Sequence, residues 1–389
     1  MAGQPDDSLE EPQKLVIAFL AAPWEPVGPS SSRAGRSVDA LATALVRRGH
    51  EVHLIAPAGS SGAATVHEIE QPFDVHGVGR QCFEIDYAAR AVAEVMRLSG
   101  SGRTLDVLHD HCGVMIVAQA ASIPAPVVHT MRGEVSSQVS QLYAAYSDHV
   151  DLVATSPRQL LEASPTMQVA ALIPDPIDLS NWPLQTTKGD GVLWVWGLEP
   201  VQGAGELVKL IIDAELPLTL AGPVSRGQER WFDAEIAPQL SRHVRYLGTL
   251  DGAARRDAIS YARVLLVLGG HYETQHTDIV HALAAGTPVV VGRTSEHDVI
   301  HPGVNGYLAD DNQALVTALK NAGGIDPRVC RESALSGFDA DLVAARYEGL
   351  YRNLAGRRAA AVGTSPALRE SVRHFASFHW RNRAKNPTR

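Results

Sequence analysis

The chain has 389 residues, 45% hydrophobic and 20% charged, with a formal net charge of −9. That length suits two domains of roughly 150–200 residues each, and the negative balance argues against a general nucleic-acid binder. No run approaches the roughly 18–20 apolar residues that cross a bilayer, and Cys82, Cys112 and Cys330 are too scattered for a disulfide framework.

The opening MAGQPDDSLEEPQ is acidic and polar, without the basic start and apolar core of a signal peptide. Residues 1–13 are expected to be disordered, and the chain is expected to work in the reducing cytoplasm. From Lys14, short β-rich runs alternate with helix-like segments, the pattern of doubly wound α/β domains. KLVIAFLA (14–21) reads as a buried strand, GRSVDALATALVRRGH (35–50) as an amphipathic helix stopped at Gly49, and EVHLIAP (51–57) as a second strand. Further strands are expected at 106–111, 125–130, 151–156 and 168–173. PDPIDLSNWPLQTTKGDG (174–191) has the composition of a linker. A second series follows, with strands at 191–197, 216–222, 243–248, 262–269 and 287–292. GELVKLIIDA, ERWFDAEIAPQL and DAISYA are expected as helices between them. In such sheets ligands bind beyond the strand C-termini, which directs attention to the loops after 20, 111, 130, 197, 222, 248 and 269. The last residues accumulate Arg369, Arg373, Arg381, Arg383, Lys385 and Arg389, a solvated basic end or a patch for an anionic partner.

The stretch HYETQHTDIVHALAAGTPVV (271–290) gathers the densest polar chemistry. HALAAGTPVV reads as a helix end, a turn at Gly286 and a strand opening at Pro288. Glu273 is expected just before the helix and His281 inside it. Asp278 lies one turn before His281 on the same face, placed to orient the imidazole or to complement the helix macrodipole. His271, His276 and His281 are spaced by five, which a helix does not align, so no metal site is expected.

An acid before a helix with a polar group eight positions later resembles the glutamate pair of family-four retaining glycosyltransferases, which read E-x7-E-A-x-A-x-G-x-P-V-V. Here the second glutamate is His281. VIAFLAAPWEPVGP (16–29) is similar to that family's first strand and Pro-rich loop, DVLHDHCG (106–113) to its D-V-V-H-x-H element, and VVHTMRGE (127–134) to its H-T-x-H-G-P segment. IPDPID (173–178) stands where the family has I-x-N-G-V-D. SEHDVIHPGVNGYLADD (295–311) is similar to P-E-V-V-x-D-G-x-T-G-F-L-x-D-D, and FDADLVAARYEGLYR (338–352) to the closing helix. The resemblance runs from about Leu15 to about Arg352.

It implies an α/β GT-B fold, with two Rossmann-like doubly wound domains facing across a cleft. Residues 14–180 would be the acceptor domain and 181–350 the nucleotide-sugar donor domain. Residues 351–389 would be a helix and basic tail returning towards the first. It further implies metal-independent transfer from a nucleotide sugar, a UDP-sugar being the first choice, with no other cofactor. A diphosphate leaving group needs positive charge and oriented N–H donors. The family supplies them from a G-R-x-x-x-x-K-G loop; the matching stretch here is Gly197-Leu198-Glu199-Pro200-Val201-Gln202-Gly203, and both cations are gone. Losing one such stabiliser commonly costs about 10²–10³ in rate. Arg293, Arg226 and Arg230 are therefore candidates to replace them, as are His271, His276 and His281 if protonated. The family's E-P-F-G becomes Glu273-Thr274-Gln275-His276, and Ser31–Gly35 replaces its glycine pair.

Carried over residue by residue, the resemblance assigns catalysis to His111 and Glu273. Donor binding falls to Gly197, Gln202, Gly222, Arg226, His276, Thr277, Asp278, His281 and Arg293, and acceptor binding to His109, Arg132 and Glu134. His109 and His111 point the same way in strand alternation. Cys112 reads as a packing residue. The expected function is sugar transfer to a small polar acceptor in specialised, natural-product metabolism. Chemistry on a sugar phosphate, hydrolysis or epimerisation is the first alternative, and non-catalytic sugar binding the second. Expected partners are small-molecule substrates, without nucleic acid or stable membrane insertion, and at most a second copy in a homodimer.

Overall fold

Val16–Leu20 is an unbroken apolar run, and in a parallel sheet covered on both faces such a run is buried throughout. In the computed structural model it forms strand β1, with Ile17, Ala18, Phe19 and Leu20 fully buried. The structure describes residues 13–28, 31, 33–69, 81–100, 104–133, 135–200, 203–268, 272–294 and 297–361. They divide into two units: 1–29, 42–173 and 344–389 in the first, 30–41 and 174–343 in the second.

The first unit contains β1, most of the second half of α1 (Arg33–Arg47), β2 (Glu51–Pro57), β3 (Thr65–Ile69), α2 (Gln81–Gly100), β4 (Val107–Asp110), α3 (Val114–Val117), β5 (Val127–Thr130), α4 (Ser137–Tyr146), β6 (Val150–Ala154), α5 (Pro157–Glu162) and β7 (Val169–Leu172). Its seven strands are ordered β3-β2-β1-β4-β5-β6-β7, all parallel. The order reverses between β1 and β4, where doubly wound sheets open a ligand crevice at the strand C-termini.

The second unit repeats the plan with β8 (Val192–Trp194), α6 (Ala204–Asp213), β9 (Leu218–Leu220), α7 (Glu229–Trp231), β10 (Val244–Tyr246), α8 (Gly252–Tyr261), β11 (Val264–Leu268), α9 (Tyr272–Ala284), β12 (Val289–Gly292), β13 (Gly306–Ala309), α10 (Asn312–Ala322) and α11 (Pro327–Phe338). The strand order is β10-β9-β8-β11-β12-β13, with its switch point between β8 and β11. The pleat sends Val264, Leu266 and Leu268 of β11 into one core and Leu265 and Val267 into the other.

Two edge strands, β3 and β13, were not expected from sequence; both are short and partly exposed, so their apolar signal is weak. ERWFDAEIAPQL is not the single helix its composition suggests. It runs as α7, a π turn over Phe232–Ile236 and a 3₁₀ turn over Ala237–Gln239. Pro238 lacks the N–H that would continue a helix. Helix α9 begins at Tyr272, which puts the backbone of Glu273 in its first turn rather than before it.

Helix α12 (Ala340–Ala361) starts in the second unit and joins the first from Ala344 onward. Its main polar anchor is Glu348, 12% exposed, which accepts from Arg48 at 2.6 Å and Arg352 at 2.7 Å. Burial would raise its carboxyl, but the hydrogen bonds from Arg352 and Arg48 outweigh burial and hold it down at about 2. Glu348→Gln would leave two guanidinium groups without their carboxylate, so a loss of about 2–3 kcal/mol is expected in urea unfolding. The wild-type advantage should fade as pH falls from about 4.5 towards 2, because the unfolded carboxyl protonates first.

Candidate functional site

At the switch point of the first unit, β4 ends in His109-Asp110-His111. Asp110 is fully buried. Its carboxylate accepts from the Cys112 N–H at 2.8 Å and the Gly113 N–H at 3.3 Å, and pairs with His129 Nδ1 at 2.7 Å. His129 Nε2 continues to the Tyr143 hydroxyl at 3.0 Å. This chain fixes the turn on which His111 sits. Burial, then the charge of Asp110, pushes the Cys112 thiol far up, so it carries no thiolate.

His111 is buried, yet neither ring nitrogen has a hydrogen-bond partner among the described residues. Its ring stacks on Phe19 (5.7 Å, 13°) and lies 4.1 Å from His109. Burial above all, then His109, Arg132 and His129, holds it neutral, well below the usual imidazole range. Unpartnered buried polar atoms are rare and costly, which makes these two nitrogens candidates for hydrogen bonds to a ligand.

His109 does not share that character. Its Nε2 lies 2.7 Å from Thr130 Oγ1 and its Nδ1 2.6 Å from the Tyr351 hydroxyl. Both nitrogens are used inside the protein, which corrects its expected acceptor contact: alternation aligned the two histidines, but α12 covers His109. Arg132 follows β5 in a loop held by the buried amide of Gln159, which donates to Met131 O at 3.1 Å and Gly133 O at 3.0 Å. Glu134 lies outside the described residues.

In the second unit the loop after β8 shows where the expected arginine went. Leu198 is fully buried in the core; its N–H donates to Pro223 O at 2.9 Å, and it bridges Val224 as a short parallel pair. Glu199, next in the loop, accepts a hydrogen bond from Ser225 Oγ. A Cβ on Gly197 would make ordinary contact, with Pro223 O at 3.6 Å. Gly222 (φ +155°) lies so close to the Trp196 carbonyl that no side chain fits there. Its N–H donates to Gly248 O at 2.8 Å and its carbonyl accepts from Tyr246 at 2.9 Å. Gly222 thus joins two loops, and its backbone groups are committed rather than offered to a donor.

Arg226 and Arg230 are exposed on the segment after β9. Arg293, at the end of β12, lies instead on the N-terminus of α6. A Cβ on Gly203, the N-cap, would stand 3.0 Å from its Nη1 and 3.1 Å from its Cζ. Arg293 adopts a left-handed backbone (φ +61°), a conformation that costs a non-glycine residue energy. Gln202 and His271 lie outside the described residues, and only the backbone of Glu273 and His276 is described.

Further along α9, Thr277 is half-buried and Asp278 receives Arg255 Nη2 at 2.8 Å, while Arg255 Nη1 donates to Val195 O at 2.9 Å. Asp278 is therefore ion-paired with Arg255. His281 is buried and stacked on Trp182 (4.2 Å, 14°). Burial, then the charges of Arg36 and Arg255, lowers it to about 3, which corrects the expectation that it could serve phosphate as a cation. Sequence reasoning missed Arg255, Asp110, His129 and Gln159, none of which carries a spacing signal. It also missed Tyr347 and Tyr351, whose i, i+4 spacing on a helix read as returning was a usable sign.

A cavity of about 380 Å³ lies near the N-terminal strand ends of the second unit, lined by Lys188, Asp190, Arg263 and Pro288 among others. Its cations serve helix ends. Lys188 donates to Ser260 O, Ala285 O and Thr287 Oγ1 at 2.7, 3.0 and 2.8 Å, and Arg263 to Lys320 O at 2.9 Å. Among the described residues no helix is long and apolar enough to cross a membrane.

Comparison with known proteins accords with this geometry. Residues 34–165 match the model of Glycosyltransferase Family 4, and residues 201–322 that of Glycosyl transferases group 1. Among solved structures the chain is similar to AviGT4, a glycosyltransferase involved in avilamycin A biosynthesis (21% identity, 88% of this chain and 98% of that one, TM-score 0.61). It is also similar to Alr3699/HepE of Anabaena in complex with UDP (17%, 87% and 100%, 0.61). A third is sucrose-phosphate synthase of Thermosynechococcus elongatus (17%, 88% and 100%, 0.66). No curated protein sequence matches the chain.

Proposed function

Given a chain that is a glycosyltransferase of the GT-B type, with a Family 4 domain followed by a group 1 domain, we propose that it transfers a sugar from a nucleotide-diphosphate sugar to a small polar acceptor. The observation that carries this reading is Arg293 on the N-cap of α6. The loop that would hold the diphosphate lacks its arginine and lysine, and a guanidinium from a different strand lies where the helix N–H groups open. Arginine gives planar, charge-assisted bonds to phosphate, and the helix N-terminus adds oriented N–H donors. A UDP-sugar is the first donor to test, supported by the UDP bound in the Anabaena neighbour. A role in specialised metabolism is supported by the avilamycin neighbour.

In this reading the acceptor oxygen bonds to the anomeric carbon as the bond from that carbon to the diphosphate oxygen breaks, and the departing phosphate takes the acceptor proton. His111 contributes hydrogen bonds from nitrogens that have no partner among the described residues, and Glu273 handles the donor sugar. The family resemblance supports retention of configuration and independence of metal as part of this reading. The second reading, chemistry on a sugar 1-phosphate, is favoured by the inward-folded Leu198, since a monophosphate needs fewer cations.

A thermal-shift panel of nucleotides, UDP-sugars and sugar phosphates separates the two, because a ligand that binds only the folded state raises Tm. UDP and a UDP-sugar should stabilise the protein more than any sugar 1-phosphate. Arg293→Ala should weaken UDP about 10–100-fold, the worth of one or two charge-assisted bonds, while Arg226→Ala leaves it unchanged. UDP binding indifferent to Arg293→Ala would overturn the diphosphate assignment.

A further inference from the structure

The C-terminal helix reaches the β4–β5 strand ends through a closed run of hydrogen bonds that the activity above does not require. Tyr351 OH lies 2.6 Å from His109 Nδ1, His109 Nε2 lies 2.7 Å from Thr130 Oγ1, and Thr130 Oγ1 lies 2.7 Å from Tyr347 OH. His109, Thr130, Tyr347 and Tyr351 are all buried. Either direction satisfies His109, but only one also gives the buried Tyr351 hydroxyl an acceptor among the described residues. A neutral imidazole has one donor and one acceptor, and the buried phenol of Tyr351 stays protonated and donates to Nδ1. The proton of His109 is then on Nε2, donated to Thr130.

His111 has no such anchor. No described residue bonds its nitrogens, so its ring is set by what it packs against, Phe19 and His109, which also touch each other with ring centroids 5.0 Å apart. Tyr347 closes the cluster, its ring 4.8 Å from His109. The orientation of His111 is therefore inherited from His109, and that of His109 from α12.

We propose that Tyr351, assisted by Tyr347, is a positioning residue: through a single tautomer of His109 it holds His111 in the orientation in which both its nitrogens are presented unpaired. The link to turnover rests on the reading of His111 given above, whereas the link from Tyr351 to the two histidines does not.

The test is ¹⁵N side-chain NMR of the full chain with labelled histidine at pH 7, comparing wild type with Tyr351→Phe and Thr130→Val. Wild type should show His109 as the Nε2–H tautomer alone. Tyr351→Phe should give a mixture of tautomers and move or broaden the His111 resonances, and a single unchanged His109 tautomer with unmoved His111 resonances would overturn the proposal. If Tyr351→Phe does not fold, Thr130→Val carries the test from the other nitrogen: with Tyr351 still donating to Nδ1, His109 should remain the Nε2–H tautomer alone, and a mixture of tautomers there would overturn the proposal. Adding UDP-glucose to wild type then addresses the site itself. Movement of His111 supports its place there. Its absence, beside a tautomer change in Tyr351→Phe, counts against the proposed function and leaves the role of Tyr351 standing.

Discussion

Acidification from pH 7.5 to pH 5 is expected to lower the Tm steeply, before the carboxylates titrate. His281 has a folded value of about 3 against 6.5 for the free side chain. The unfolded state therefore binds the proton more readily, and stability is complete above about 6.5 and lost as pH falls from there towards 3. At 1.36 kcal/mol per unit, His281 by itself removes roughly 2 kcal/mol by pH 5. His109 and His111 are displaced in the same direction, burial again being the largest cause, and His50 and His67 add smaller terms of the same sign. The share from His281 alone is already a sizeable part of the stability of an ordinary domain, about 5–15 kcal/mol, and the other histidines deepen the loss. Circular-dichroism melts at half-unit pH steps read this out, and replacing His281 with Phe should flatten the profile of the second unit's transition. A Tm that stays level down to pH 5 would rule the argument out.

The second large effect separates stability from activity at one residue. His111→Leu is expected to leave Tm unchanged or higher, because it removes two buried polar atoms that bond nothing among the described residues. Such atoms cost about 1–3 kcal/mol each when unsatisfied. Turnover of the donor should fall about 10²-fold or more, the usual worth of one positioned hydrogen-bonding group. The neighbouring His109→Leu should behave in the opposite way in unfolding experiments. It strands the buried Tyr351 hydroxyl and takes one of two partners from buried Thr130, and should destabilise by about 2–4 kcal/mol. Loss of stability in His111→Leu matching that of His109→Leu would make His111 a core residue and withdraw it from the site.

The contrast between these two histidines shows what pattern reading can reach. Alternation placed both on one face of β4 and at the correct end of the strand, which follows from local geometry alone. Which of them would be satisfied depended on Tyr347 and Tyr351, more than two hundred residues later in the chain. Asp278 is similar: its spacing from His281 suggested a pair on one helix, but Arg255 from α8 claims it.

The order of apolar runs and breaks determined the two doubly wound α/β halves. Residue identity at 198 and 202, Leu and Gln, determined that neither position carries a cation. Both are properties of local periodicity and of identity at aligned positions, and they survive without coordinates. Only the tertiary structure decided where the side chains around those positions go. It turns Leu198 into the core, brings Arg293 onto Gly203, seals His281 under Trp182, and leaves the nitrogens of His111 without partners among the described residues. Those outcomes depend on which side chains meet after the sheets are wound, and burial and pairing between distant residues leave no period in the sequence to read.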